Sequence, residues 1–307
     1  MAISASDVKR LREQTGAGMM DCKKALGEVN GDFDAAVDFL RKKGLAAAAK
    51  KATRVAAEGL VGAHIDGKYG VLVEVNCETD FVAKNDDFQK FVGDISKVIL
   101  ANKPGSLEEL KAATMDGGAT VEATVNELTL KIGEKIDPRR FEIAELSGNG
   151  ALGSYVHSGK IGVIVEVEAA NAGTEGNADF QELVKDLCMH VTAADPKFVT
   201  ADEIDEDFKN KEAEIYTAQL KDQGKPENMI PNIVKGKLNK LASEVCLVEQ
   251  KFVKNPDLTI KKLLEEVSAK VGDTLSIKRF VKVNLGEGIE KREDNLADEV
   301  AKMTGKN

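Results

Sequence analysis

With 307 residues the chain exceeds one ordinary domain and has room for two or three packing units. Apolar residues make up 42% and charged residues 31%, with 27 glycines and 6 prolines, which excludes collagen-like, disulfide-stapled and wholly disordered chains. A formal net charge of −9, 5% aromatics and no tryptophan argue against a surface built for nucleic acid or an anionic membrane.

The N-terminal segment has no apolar run behind a basic stretch, so no signal peptide is expected. The longest small-apolar stretch, Leu45 to Ala49, is far short of a membrane helix. Cys22, Cys77, Cys188 and Cys246 are scattered without metal-ligand spacing and read as reduced thiols of a cytoplasmic protein.

Ser4 to Gly44 predicts three short helices. Ser4 and Asp7 form a capping box ahead of Val8 and Leu11, and Thr15-Gly16-Ala17-Gly18 breaks the first helix. Met19 or Met20 opens a second, with Cys22, Leu26 and Val29 inward. Asp32 caps a third, with Phe33, Val37 and Leu40 inward. About 40 residues bury little apolar area, so this head is either a small packing domain or a docking module. Residues 45–58 are Ala-rich and basic and predict a helical tether.

An internal duplication follows. Gly67-Lys68-Tyr69-Gly70-Val71-Leu72-Val73-Glu74-Val75 returns 92 residues later as Gly159-Lys160-Ile161-Gly162-Val163-Ile164-Val165-Glu166-Val167. Each copy predicts a hairpin, the first turning at Asp66-Gly67, and then a helix carrying Phe88, Phe91, Val92 and Ile95 or Phe180, Leu183, Val184 and Leu187. A second offset of 139 matches Ile132-Gly133 with Val271-Gly272, and Arg139-Arg140-Phe141 with Lys278-Arg279-Phe280. The second offset exceeds the first by 47 residues, placing an insert at about 200–250. Its spacing, Ile204, Phe208, Lys211, Ile215 and Ala218 against Val234, Leu238, Leu241, Val245 and Val248, predicts an antiparallel coiled-coil hairpin.

The fold class expected is therefore α+β: a three-helix head at 1–44, a tether at 45–58, core subdomains at 59–148 and 149–286, and a C-terminal part at 287–307. The two copies differ most after the return strand. Copy one has Thr79-Asp80-Phe81-Val82, where copy two places Gly173 opposite Phe81. Phe81 either tucks into its own core or is offered to a partner as an interface anchor.

No catalytic constellation emerges. The three histidines, His64, His157 and His190, have no paired spacing, and no cysteine carries a nucleophile signature. Gly148 to Gly153 matches GxGxxG but leads into a strand instead of a helix, so the dinucleotide reading fails its context. No enzyme, metal site or cofactor is expected.

Two long motifs carry a resemblance. The segment from Leu11 to Leu26, and the segment from Glu74 to Lys84, resemble the two signatures of the bacterial elongation factor Ts family, with no departure inside either. The resemblance runs from about residue 4 to Met303. It implies a ubiquitin-associated-like head, a two-part α+β core, an inserted coiled coil and a C-terminal helical module around Leu296 to Met303.

It further implies guanine-nucleotide exchange on elongation factor Tu by protein–protein contact, without nucleic acid or membrane. Thr79, Asp80, Phe81 and Val82 would intrude beside the GTPase's switch region and help dislodge Mg²⁺. The head residues Arg12, Thr15, Gly16, Met19 and Met20 would dock on the same partner. The competing reading is a non-exchanging adaptor, in which the core only scaffolds.

Overall fold

The computed structural model describes residues 3–290. The protein is α+β and divides into two compact units. The first takes in the chain to Gly62, Val73–Phe141 and the segment from Val283; the second takes in Ala63–Leu72 and Glu142–Lys282. This division does not follow the sequence repeat, because the tip of the first hairpin is grouped with the second unit. The helical module expected around Leu296 to Met303 lies outside the described residues.

The head of the first unit is α1 (Ala5–Thr15), α2 (Met19–Glu28) and α3 (Phe33–Lys51). Ser4 caps α1 by accepting from the Asp7 N–H, and Asp32 caps α3 by accepting from the Ala35 N–H, as their spacing predicts. Val8, Leu11, Cys22, Leu26 and Leu40 close a small core, with Val29, Phe33 and Val37 at its edge. The tether differs from expectation. Its first half is the end of α3, and helix stops at Lys51, where Ala52 and Arg54 tighten the last turn on the carbonyls of Ala49 and Lys51. The β-branched Thr53 and Val55 then favour extended chain over further helix.

Next come β1 (Glu58–Asp66), β2 (Tyr69–Cys77), α4 (Asp80–Ala83), α5 (Asp86–Asn102), α6 (Leu107–Ala112), α7 (Val121–Ile132) and β3 (Ile136–Glu145). The sheet runs β1-β2-β3, with β2 central. Asp66 is the last residue of β1, so the hairpin turns at Gly67-Lys68, one residue later than predicted; Gly67, at φ +54°, supplies the left-handed backbone.

The second unit contains β4 (Gly150–His157), β5 (Ile161–Ala169), α8 (Ala178–Ala194), α9 (Glu206–Asp222), α10 (Ile230–Val245), β6 (Lys251–Phe252), β7 (Asn255–Thr259), α11 (Ile260–Val271) and all but the last two residues of β8 (Leu275–Asn284). Its main sheet is ordered β4-β5-β8, and β4 and β5 pair antiparallel from Gly150 with Glu168 to His157 with Ile161. Val163, Val165 and Val167 meet Phe180, Leu183, Val184 and Leu187 in one apolar core.

The duplication is legible in the caps as well as the core. Asn85 and Asn177 each cap the helix after the hairpin, and Lys103 and Asp195 each end it in the left-handed region. Thr120 with Gly133, and Thr259 with Gly272, bracket α7 and α11. In β1 and β4, Gly62 and Gly153 let a helix approach closely. A Cβ would lie 2.7 Å from Val92 Cγ1 at Gly62, and 2.3 Å from Val184 Cγ1 at Gly153.

The central strands are buried on both faces. Opposite the valine face sit Glu74 and Glu166, both essentially without solvent contact. Glu74 accepts from Arg139 Nη1 at 3.0 Å, Arg140 Nε at 2.6 Å and the Gly286 N–H at 2.8 Å. Glu166 accepts from Arg279 Nε at 2.7 Å, the Ser147 N–H at 2.8 Å and the Ser147 hydroxyl at 2.7 Å. Burial alone would raise both carboxyls, but these donors outweigh it and hold them below the ordinary glutamate value.

The insert is α9 packed on α10 through Leu220, Ile230 and Val234, with Ala213, Tyr216, Ile233 and Leu238 alongside. The α10 positions follow the predicted spacing, with Val234 and Leu241 buried. Those on α9 do not: Lys211, Ile215 and Ala218 face solvent, and Ile215 is 47% exposed. Tyr216 and Leu220 set the register instead. They offer more apolar area than Ala218 and the Lys211 stem, and Tyr216 also takes the Lys237 ammonium 4.7 Å from its ring centre.

At its base the two ends of the insert are joined. Lys197 and Phe198 N–H groups both donate to the Val245 carbonyl, the Leu247 N–H donates to the Phe198 carbonyl, and Phe198 stacks edge-on against Phe208 at 5.1 Å. Buried His190 accepts from the Val253 N–H at Nδ1 and donates from Nε2 to Gln250 Oε1 at 3.0 Å. The Gln250 amide in turn donates to the carbonyls of Glu244 and Ala194. Burial pulls the imidazole below its ordinary value of 6.5, only partly opposed by Gln250. Protonation would also oppose two N–H donors at Nδ1.

A folded-state value below the unfolded one means the neutral ring's contribution is present above about pH 6.5 and is lost as pH falls through the lower folded value. Melting temperatures measured from pH 7.5 down to 5 (roughly spanning that window) should fall in the wild type. In His190→Gln, which has no group to titrate there, the drop in this window should shrink.

Candidate partner-docking site

Strand β2 delivers the chain into Glu78 and Thr79 at the rim of the first unit, where α4 makes one turn before α5 begins. Thr79 caps that turn, its Oγ1 accepting weakly from the Val82 N–H at 3.4 Å. Glu134, just past the C-cap Gly133 of α7, takes both Thr79 donors. Oε2 accepts from the backbone N–H at 2.9 Å and Oε1 from the hydroxyl at 2.7 Å. The exchange is reciprocal, since Glu78 Oε1 accepts from the Lys135 N–H at 2.6 Å. Arg54, on the segment leading from the head, adds Nη1 contacts of 3.2 and 3.3 Å to the Glu78 carboxylate.

This scaffold splits the Thr79–Val82 motif into inward and outward residues. Val82 and Ala83 are buried, whereas Phe81 is 80% exposed, the largest exposure among the large apolar side chains of the described residues. Of the two readings open for Phe81 from the sequence, the core reading is excluded for the free protein. Asp80 pairs with Lys84 at 2.7 Å, and the Lys84 ammonium lies 5.9 Å from the Phe81 ring centre. The turn therefore presents an exposed aromatic ring beside a carboxylate–ammonium pair. Asn85 then caps α5 from Oδ1 to the Asp87 and Phe88 N–H groups, fixing the far side.

The sister loop keeps the frame and lacks the aromatic. There Asp273, just past Gly272, accepts from the Asn171 N–H at 3.1 Å, Asn171 Nδ2 at 2.9 Å and the Thr174 hydroxyl at 2.6 Å. Those donors, the Thr174 hydroxyl foremost, hold the Asp273 carboxyl below its ordinary value. At the position of Phe81 stands Gly173, in the left-handed region at φ +94°.

The head residues form a second group, at the α1–α2 junction. Gly16 ends α1 in the left-handed region, its N–H bonded to the Arg12 carbonyl, while the Thr15 hydroxyl donates to the Leu11 carbonyl. Arg12 is exposed, and so are Met19 and Met20, at 57% and 74%. Two adjacent exposed methionines at a helix start make an adaptable apolar contact. Gly16 borders the Lys131 stem of α7, and Lys131 pairs with Asp87 at 2.7 Å.

Neither group carries reactive chemistry of its own. Cys77 is buried and pushed up to about 12, by burial first and by the nearby Glu134 charge second, so it is no thiolate nucleophile at neutral pH. Among the described residues no cluster of three His, Cys, Asp or Glu is placed to hold a metal, and no helix is long and apolar enough to cross a membrane. Gly150 to Gly153 of the GxGxxG match lie in β4, as its context implied.

Sequence reasoning missed Glu134 and Lys135. The available signal was the acid that follows the helix-ending glycine in both copies, Glu134 and Asp273.

The family model described as Elongation factor TS matches residues 78–287. Elongation factor Ts of Clostridium perfringens (strain SM101 / Type A) is 49% identical over 307 residues, covering 99% of this chain and 100% of that protein. Elongation factor Ts of Trichlorobacter lovleyi is 46% identical over 310 residues, covering 99% of each.

Proposed function

The chain belongs to the elongation factor Ts family of translation elongation factors, and on that premise we propose that it is a guanine-nucleotide exchange factor for elongation factor Tu. The observation that carries the reading is Phe81, held out in water on a turn whose every neighbour is tied down. Leaving such an aromatic exposed stabilises nothing in the free protein, whereas burying it in a partner does.

The Thr79–Val82 turn enters beside the partner's nucleotide site, with Phe81 as the wedge and Asp80 at its rim; Val82, buried at home, anchors the turn. GDP is gripped mainly through its phosphates and Mg²⁺, so disturbing the metal's surroundings removes much of that grip without touching the guanine. The ubiquitin-associated-like head at 1–44 docks through Arg12, Thr15, Gly16, Met19 and Met20, and the coiled-coil insert and C-terminal module extend the contact. The chain makes and breaks no covalent bond in this scheme.

The test is release of labelled GDP from purified elongation factor Tu with and without the protein. Coupling between ligands is reciprocal, so whatever weakens GDP binding is itself weakened by GDP. Faster release, together with dissociation of the preformed complex on adding GDP and Mg²⁺, is expected. A complex whose affinity ignores saturating GDP would be that of an adaptor.

A further inference from the structure

We propose that Glu134 is a positioning residue for exchange: its carboxylate, by holding both donors of Thr79, fixes the turn that presents Phe81. The inference rests on the exchange reading above and concerns a residue outside the motif that carries it.

The argument begins with what the turn lacks. A single helical turn, Asp80–Ala83, is too short to be stable on its own, because nucleation is unfavourable and one turn gives almost no hydrogen-bond return. Its cap bond, at 3.4 Å, is long. Its most apolar side chain points into solvent and contributes no packing. The Asp80–Lys84 pair is solvent-exposed and worth little, so local interactions alone do not fix the direction of Phe81.

Two things do. On one side Val82 and Ala83 are buried. On the other, Glu134 accepts two hydrogen bonds from Thr79, the residue at the turn's N-terminus, and both are charge-assisted. Glu134 itself is poorly placed to drift. It follows Gly133, which ends α7 in the left-handed region at φ +88°, and it precedes Lys135, whose N–H is held by Glu78. The two segments thus exchange carboxylates: Glu134 of the α7–β3 turn grips the loop, and Glu78 of the loop grips the α7–β3 turn.

The sister copy separates frame from use. Asp273 makes the equivalent pair of contacts to Asn171 and bonds Thr174 besides, yet the turn that follows offers no aromatic to solvent. The clasp belongs to the repeat, and copy one has set a wedge on it. Replacing the clasp should therefore matter to exchange only through Phe81, a claim that a general loss of stability would not satisfy.

The experiment is a double-mutant cycle between Glu134→Ala and Phe81→Ala, read by GDP release from elongation factor Tu at saturating factor, with melting temperature and amide hydrogen exchange of the free protein measured alongside. Glu134→Ala should slow release about 10-fold, the scale of losing hydrogen bonds to a charged group. It should speed amide exchange at Thr79 and leave the β2 amides from Val73 to Val75 protected. In the Phe81→Ala background the same substitution should slow release by less than about 2-fold.

Glu134→Gln keeps one acceptor oxygen and should fall between wild type and Glu134→Ala; it carries the same cycle should the alanine variant not fold. Equal slowing in both backgrounds would overturn the proposal, since Glu134 would then act independently of the wedge. If Phe81→Ala slows release and Glu134→Ala does not, the proposal falls and the exchange reading stands. If Phe81→Ala is itself without effect, the reading of the turn falls and the proposal with it.

Discussion

Phe81→Ala should slow GDP release from elongation factor Tu by about 10- to 150-fold while barely changing the melting temperature. Burying a phenylalanine side chain is worth roughly 1.5–3 kcal/mol, and each 1.4 kcal/mol is a factor of about ten. That energy is available to the complex only because it is not already used at home, and Phe81 is 80% exposed in the free protein. Asp80→Ala should slow release less, since its carboxylate is half in solvent beside Lys84. Thr174→Ala, in the sister loop that carries no aromatic, serves as the control and should leave release unchanged. A large drop in melting temperature with normal exchange would assign Phe81 to the core and sink the wedge.

Glu74→Ala should have the largest effect on stability, about 3 kcal/mol, read as a shift in denaturant midpoint. It removes a fully buried carboxylate that takes bonds from Arg139, Arg140 and the Gly286 N–H, leaving two guanidinium groups facing a cavity. The figure sits at the low end for a broken buried pair because both arginines keep about a third of their side-chain surface in water and can rehydrate. Glu166→Ala should be milder, since Arg279 is half exposed and Ser147 is neutral. Both carboxyls lie below their ordinary value of 4.5 in the folded protein. Their contribution is thus complete above about pH 4.5 and is lost as pH falls through the folded values, which puts acid unfolding in that range. Equal midpoints for wild type and Glu74→Ala would show that the network confers nothing.

What could be read from the sequence was whatever repeats at short range. The alternation of Val71, Val73 and Val75, the helical spacing of Phe88, Val92 and Ile95, and the caps at Ser4 and Asp32 are local patterns, and the structure keeps them. The duplication then carried them to the second copy. Its offset is 92 in β2 and 91 in β1, because Ser158-Gly159-Lys160 makes a turn one residue longer than Gly67-Lys68. That slip hid the match of Gly62 with Gly153.

Contacts between distant segments were the part that could not be read. Glu134 reaches Thr79 across 55 positions, and Arg140 reaches Asn284 across 144. No periodicity records such meetings. The α9 register failed for a related reason: Ile215 and Tyr216 are adjacent, both apolar, and only the partner helix decides which of them faces inward. Of the site, the disagreement between copies singled out Phe81 and left its burial open; the structure places it in solvent. The carboxylate beneath it was not legible.

The joined base of the insert has a mechanical consequence. Phe198 and Cys246 sit side by side there, and α9 extends for 17 residues, roughly 25 Å at 1.5 Å per residue. That makes the helical pair a lever arm with a narrow fulcrum. A tilt of about 10° at the fulcrum carries the far end through about 4 Å over such a length, while the bonds at the base stretch by a small fraction of that. Torque on the arm enters the rest of the second unit through the backbone bonds of Lys197, Phe198 and Leu247 and through Gln250, whose side-chain amide holds the end of α10 and meets His190 in α8. A load applied at Gly224 is thus shared between that short backbone ladder and one buried imidazole.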